Sequence, residues 1–166
     1  YALLVSETLC IPFQKIDFIK EYKECIVYYM FNEYEAGRTP NPDVLCNREV
    51  KFDIFLDFAQ NLGADYVATG HYCRKGTKTN AEGETTFELI AGKDNNKDQS
   101  YFLYGLNQEQ ISKAIFPIGD LDKTSVRNKA KELGFRNFKK KDSVGICFIG
   151  KRNMKEFLKN YIPPNP

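Results

Sequence analysis

The stretch that most constrains the fold runs from Val50 to Tyr72. Val50, Phe52, Phe55, Leu56, Ala59 and Leu62 recur at helical spacing, and Gly63 stands where such a helix stops. Gly63-Ala64 leads into Asp65-Tyr66-Val67-Ala68-Thr69-Gly70-His71-Tyr72, which predicts a strand ending in glycine. Upstream, residues 12–18 alternate apolar and polar side chains as a strand does. Ile19, Tyr22, Ile26, Tyr29, Met30 and Tyr34 then predict a long helix over 19–36, with Gly37 as its stop. Strand, helix, strand in this order predicts an α/β fold with a parallel sheet, whose ligands sit beyond the carboxyl ends of the strands. Gly70 and His71 occupy such an end.

Between the two helices lies Arg38-Thr39-Pro40-Asn41-Pro42-Asp43-Val44-Leu45-Cys46-Asn47. Each proline fixes its own φ and pushes the residue before it toward extended geometry, so a stiff loop is expected at Thr39 to Pro42. That loop delivers an acid, Asp43, and a thiol, Cys46, three residues apart. A helix beginning just after it places Cys46 near a helix N-terminus, which favours a reactive thiolate. A buried structural cysteine is the other reading of the same pattern.

The chain of 166 residues, 42% hydrophobic and 28% charged, is globular material, not a disordered segment. It opens with Tyr1 followed by what looks like the end of a helix over 2–9 and closes in a proline-rich run, so an excerpt of a longer chain is expected. No apolar run approaches the roughly 18 residues of a membrane span. Five cysteines without C-x-x-C spacing exclude a secreted disulfide framework and a zinc ribbon, which points to a reducing, cytoplasmic setting. His71-Tyr72-Cys73 is a poor metal cluster, and no metal ligands are assigned.

Further along, Gly76, Asn80 and Gly83 predict an excursion or a hairpin over 74–87, closed by 87–92. Asp98 is a candidate N-cap for a helical 101–104, Asn107 and Gln110 stand at capping-box spacing, and Thr124 is a candidate cap for a helix ended by Gly134. Gly145 and Gly150 bracket Cys147, giving that segment freedom to bend, and a last helix is expected over 153–161. Residues 123–159 hold 12 Lys and Arg against 3 Asp and Glu, whereas the rest of the chain holds 12 against 19. Lys139-Lys140-Lys141 lacks the period of a helix face. The basic segment therefore points to nucleic-acid phosphate as its partner.

Four blocks, Pro40 to Asn47, Ala68 to Tyr72, Lys97 to Leu103 and Lys140 to Gly150, together resemble the tRNA-specific 2-thiouridylase family. The resemblance covers nearly the whole chain and is weakest over 74–87. It implies part of an adenine-nucleotide α-hydrolase-like (PP-loop, Rossmann-like) parallel-sheet domain over 1–113 with 137–153. It also implies a small, mainly helical tRNA-recognition region over 114–136 with 154–166. The implied reaction is ATP-dependent (with Mg2+) replacement of the 2-oxygen of the wobble uridine by sulfur in tRNAs for Lys, Glu and Gln. The sulfur comes from a persulfide donor such as a cysteine desulfurase or a sulfur-relay protein.

Residue by residue, the resemblance makes Cys46 the nucleophilic cysteine and Cys147 the persulfide carrier, with Asp43 available to shuttle a proton. Asn41, Pro42 and Asp43 fall where the family contacts the target base, Gly70 where it contacts ATP, and Lys97, Asp98 and Gln99 where it contacts tRNA. The two thiols are expected to meet during catalysis but not at rest. The family's Ser-Gly-Gly-x-Asp-Ser phosphate loop and its C-terminal β-barrel are absent from these residues, so this stretch alone is expected to be inactive. Rival readings are a non-catalytic tRNA-binding or redox-sensing fragment, or another PP-loop adenylating synthetase, which would have no use for two cysteines.

Overall fold

The computed structural model describes residues 1–142, 145 and 153–159. Cys147 and Gly150, and with them the bracketed segment, lie outside the described residues. Helix α1 spans Ala2–Leu9. Residues 11–18 follow with no regular structure, and the expected strand over 12–18 does not form. An alternating segment becomes a strand only where a partner accepts its ladder hydrogen bonds, and here the segment stays largely exposed, with Phe13 47% accessible. Its last residue is the exception: Phe18 packs edge-on against Phe55 and Phe58, with ring centroids 6.3 and 6.1 Å away.

Helix α2 (residues 19–35) is α-helical at Ile19–Tyr22 and Tyr28–Glu35 and π-helical between them, and Gly37 at φ 73° supplies the left-handed stop. Helix α3 (residues 42–61) begins eight residues earlier than its apolar repeat suggests, with α-helical Pro42–Leu45, π-helical Cys46–Ile54 and α-helical Phe55–Asn61. Pro42 sits at the first helical position, where its missing N–H costs nothing. Asn41 is the N-cap and accepts from the Val44 N–H at 3.3 Å. The expected proline loop holds at Thr39 to Asn41, which are not helical, whereas Pro42 already opens the helix.

Only Val67–Ala68 of the predicted strand pairs; this is β1. Cys73–Thr79 (β2) and Thr85–Ala91 (β3) form the expected antiparallel hairpin, with Gly83 at φ 84° in its turn. A 3-10 turn at Ser100–Phe102 replaces the helix expected over 101–104 and has Gln99, not Asp98, at its cap position. Helix α4 (Gln108–Lys113) carries the reciprocal Asn107 and Gln110 capping box and runs directly into β4, Ala114–Ile115. β4 lies parallel to β1, pairing Val67 with Ala114 and Ala68 with Ile115. Helix α5 (Lys123–Glu132) is capped by Asp122, which accepts from both the Ser125 N–H and hydroxyl at 2.8 and 2.7 Å, so Thr124 is not its cap. Helix α6 spans Met154–Lys159.

Two apolar clusters hold these elements together. Tyr22 and Ile26 of α2 pack on Cys46 and Val50 of α3, and Phe52 on the next face of α3 packs on Cys73, Leu103 and Ala114. Phe52 is fully buried, which is worth about 1.5–3 kcal/mol relative to exposure. The hairpin is fastened to α4 by Gln108, whose side chain both accepts from the Phe87 N–H and donates to its carbonyl. The result is a mixed α/β arrangement with a short parallel sheet; the fold class is the one expected, but its sheet is built from β1 and β4 rather than from a strand over 12–18.

Candidate functional site

The turn that follows β1 opens onto a cavity of about 810 Å³. Gly70 lines it, together with Lys97, Asp98 and Gln99 from the loop after the hairpin and Lys123 and Arg127 from α5. Lys140 and Lys141 complete its cationic side, and the carboxylate of Asp142 lies among these lysines. Four of the site residues expected from sequence, Gly70, Lys97, Asp98 and Gln99, therefore share one concave surface beyond the carboxyl end of a parallel strand, where ligands of such folds bind.

Glycine at position 70 is required by neither backbone nor packing. Its φ is outside the left-handed region, and a Cβ built there meets no atom within 4 Å. What the absence of a side chain leaves is room on the cavity side.

Short polar contacts hold the loop over 92–100 in place. Asp98 accepts from the Gly92 N–H at 2.8 Å, the Ser100 hydroxyl at 2.8 Å and the Ser100 N–H at 3.3 Å. Burial works to raise its pKa, but these donors together hold the carboxyl below its ordinary range. Gln99 pairs twice with Tyr72: its N–H donates to the Tyr72 carbonyl at 2.9 Å, and its side-chain oxygen accepts from the Tyr72 N–H at 3.1 Å. Asp94 links the loop to α5 by accepting from the Lys123 N–H at 3.0 Å. Asp98 and Gln99 thus shape the loop, and Lys97 is the member that projects charge.

That charge is already engaged. Lys97 Nζ donates to Asp142 Oδ2 at 2.8 Å, and Lys123 Nζ lies 2.9 Å from Asp142 Oδ1. Hydrogen bonds from Lys97 first and Lys123 second push the Asp142 carboxyl down to about 2. Lys123 Nζ also stands 5.4 Å from the centre of the Tyr72 ring. Tyr72 is 5% exposed, and its hydroxyl is a buried polar atom without a hydrogen-bond partner among the described residues.

The second group of expected residues, Asn41, Pro42, Asp43 and Cys46, is not in the cavity wall. These residues form the first turns of α3, with Asp43 and Cys46 on one helix face at i and i+3. Cys46 is the fifth helical residue, beyond the first turn in which the helix dipole acts strongly. It is fully buried among Tyr22, Ile26 and Val50, and it begins the π-helical register, a rare geometry often found at functional sites. Asn47 joins the two groups. Buried, it donates from Nδ2 to the carbonyls of Asp43 at 3.0 Å and Phe102 at 3.3 Å, and its Oδ1 accepts from Lys51 Nζ at 2.9 Å. It therefore fixes α3 to the turn that follows Lys97 to Gln99.

Tyr72, Lys123 and Asp142 escape sequence reasoning because their partners are distant in the chain; Lys97 and Asp142 are 45 residues apart. Among the described residues no group of three His, Cys, Asp or Glu could hold a metal ion. No helix among them is long and apolar enough to cross a membrane.

A family model described as the tRNA methyl transferase HUP domain matches residues 1–151. The tRNA-specific 2-thiouridylase MnmA of Flavobacterium johnsoniae is 62% identical over 163 residues, covering 98% of this chain and 41% of its own length. The protein of the same name from Christiangramia forsetii is 60% identical over 157 residues, covering 95% of this chain and 40% of its own. That of Staphylococcus aureus is 53% identical over 162 residues, covering 98% and 42%. The chain thus spans about two fifths of the length of the curated relatives it matches.

Proposed function

We propose that this chain, which belongs to the tRNA methyl transferase HUP domain family, takes part in the thiolation of uridine in tRNA. The observation that carries this reading is the cavity that gathers Gly70, Lys97, Asp98 and Gln99 beneath a cationic rim. The family description speaks of methyl transfer and the relatives' names of thiolation. The pairing of an acid with a thiol at Asp43 and Cys46 favours sulfur chemistry.

The finer reading follows the family resemblance. ATP, as co-substrate, supplies an AMP leaving group for the uridine 2-oxygen at the wobble position, in tRNAs for Lys, Glu and Gln. The terminal sulfur of a persulfide on Cys147, charged by a cysteine desulfurase or sulfur-relay protein, attacks C2 and displaces AMP. The Cys46 thiolate then attacks the inner sulfur of Cys147, the persulfide S–S bond breaks, and 2-thiouridine leaves behind a Cys46 to Cys147 disulfide that an external thiol reduces. Alternatively, Cys46 first releases hydrogen sulfide, which performs the displacement. Asn41, Pro42 and Asp43 would face the target base, with Asp43 moving the proton.

The room left at Gly70 fits close approach of a nucleotide, and Lys97, Asp98 and Gln99 fit contact with tRNA. Because Cys46 is buried in the α2–α3 cluster, its thiol reacts only after that packing opens. The division into a catalytic unit, 1–113 with 137–153, and a recognition region, 114–136 with 154–166, belongs to the same proposal.

The deciding experiment uses the full-length protein. Cys46→Ser and Cys147→Ser each abolish thiouridine formation while tRNA binding persists, since the thiols do covalent chemistry and contribute little to affinity. Nucleoside analysis of the product tRNA reads the first effect and filter binding the second. Thiouridine at the wild-type level from either variant removes the two-cysteine mechanism.

A further inference from the structure

We propose that Lys97, Lys123 and Tyr72 form one phosphate subsite, and that Asp142 occupies it as an internal carboxylate which an incoming phosphate displaces. The inference rests on the reading of the cavity as a nucleic-acid and nucleotide site, and it adds Lys123, Tyr72 and Asp142 to the residues which that reading assigns.

Three observations converge. The two oxygens of Asp142 take one lysine each, at 2.8 and 2.9 Å, from two elements far apart in sequence. This is the arrangement in which two ammonium groups grip two oxygens of a phosphate. The pair is placed by other contacts: Lys97 by the loop that Asp98 and Gln99 pin, Lys123 by the bond from its N–H to Asp94. The lysines therefore stay together when the carboxylate leaves. Lastly, Tyr72, in the same wall and beneath Lys123, is almost fully buried with an unpartnered hydroxyl. Buried hydroxyls in folded proteins are nearly always paired, so an orphan on a ring that one of the two lysines overlies lacks an acceptor, and a phosphate oxygen is one.

The carboxylate is also easily displaced. Its side chain is 44% exposed and those of Lys97 and Lys123 are 39% and 27% exposed, so the ion pairs are solvent-screened and individually weak. Exchange keeps one anionic oxygen against each lysine and returns Asp142 to water.

The phosphate has two possible sources, the tRNA backbone and ATP, and the test separates them. Full-length protein, wild type and Asp142→Asn, is titrated with an unmodified tRNA transcript and, separately, with ATP. The ligand that uses the subsite binds Asp142→Asn about three- to fivefold more tightly, because its competitor is gone. Glu132→Gln removes an equal charge from α5 without touching the lysines and serves as the control for a general change in field; its effect is smaller. In a Lys97→Met, Lys123→Met background, Asp142→Asn no longer tightens binding. Tyr72→Phe weakens the same ligand without lowering the melting temperature, since it deletes a hydroxyl that has no partner in the free protein.

Unchanged or weaker binding of both ligands by Asp142→Asn, or tightening no greater than that of Glu132→Gln, overturns the inference and makes the cluster a plain structural bridge. Failure of the wild-type protein to bind either ligand overturns instead the functional reading beneath it.

Discussion

His71 is the one histidine of the chain, and it stays neutral in the fold. It is buried against the rings of Phe52 and Phe116, with Nδ1 2.9 Å from the Thr69 hydroxyl. Burial, and secondarily the charge of Lys51, pushes its pKa down to about 4. Between that value and the ordinary value of 6.5, the unfolded chain takes up a proton that the native chain refuses, so stability rises with pH across the window. The contribution is fully present above about pH 6.5 and is lost as pH falls toward 4, at a rate of up to about 1.4 kcal/mol per pH unit. Urea unfolding midpoints near pH 7 and near pH 4.5 will fall apart in the wild type and converge in His71→Asn, and equal pH dependence in the two proteins would remove His71 from the account. The thiols show the same environmental control. Burial first and Asp98 second push Cys73 up to about 12, leaving it inert, and burial with Glu49 and its acidic neighbours raises Cys25. Neither competes with Cys46 for the chemical role that its motif suggests.

Among the elements, glycines separate what packing requires from what a ligand would require. A Cβ on Gly119 would stand 1.9 Å from the Cys73 carbonyl oxygen, where the chain before α5 crosses the hairpin. Backbone cannot yield there cheaply, so Gly119→Ala will destabilise the protein by about 2 kcal/mol or more. Gly70→Ala, with open space and no left-handed φ, will leave thermal stability unchanged yet weaken ATP binding by the full-length protein. Loss of stability in Gly70→Ala, or undiminished ATP affinity, would end the assignment of Gly70 to the nucleotide. The same contrast explains what could be read from sequence. The stops at Gly37 and Gly63, the Asn107 capping box and the hairpin are each decided within a few residues, and all four are legible. The strand expected over 12–18 and the actual β4 are not, because pairing depends on what lies alongside. The candidate site divides in the same way. Its members appear in the motifs, but the bonds that assemble it, such as Asn47 to Phe102 across 55 residues, leave no local signal. Pro42 was legible as a stiff residue, but whether it closes a loop or opens a helix depended on the cap that Asn41 provides.

Across the whole molecule, charge is sorted by place. The basic residues that sequence counting finds in 123–159 supply Lys123, Arg127, Lys140 and Lys141 to the cavity wall, while on α3 burial first, then Asp57 and Glu49, raise the Asp53 carboxyl. A basic wall of this kind steers a polyanion toward the cavity. Lys139 and Lys140 are held as exposed cations over aromatic rings, Lys140 Nζ 4.5 Å from the centre of Tyr1 and Lys139 Nζ 5.5 Å from that of Phe138, and the Lys140 carbonyl accepts from Arg127. If these side chains neutralise tRNA phosphates, each contact releases condensed counterions, and the logarithm of affinity falls with the logarithm of salt by about 0.7 to 0.9 per phosphate. Charge reversal at Lys139, Lys140 and Lys141 in the full-length protein will therefore flatten the slope by about two to three units as well as weaken binding at low salt. Reversal of acidic residues on α3 will leave the slope nearly unchanged, because no phosphate is gained or lost there. A slope that survives reversal of all three lysines would mean that they are solvated and that the phosphates lie along another part of the basic surface.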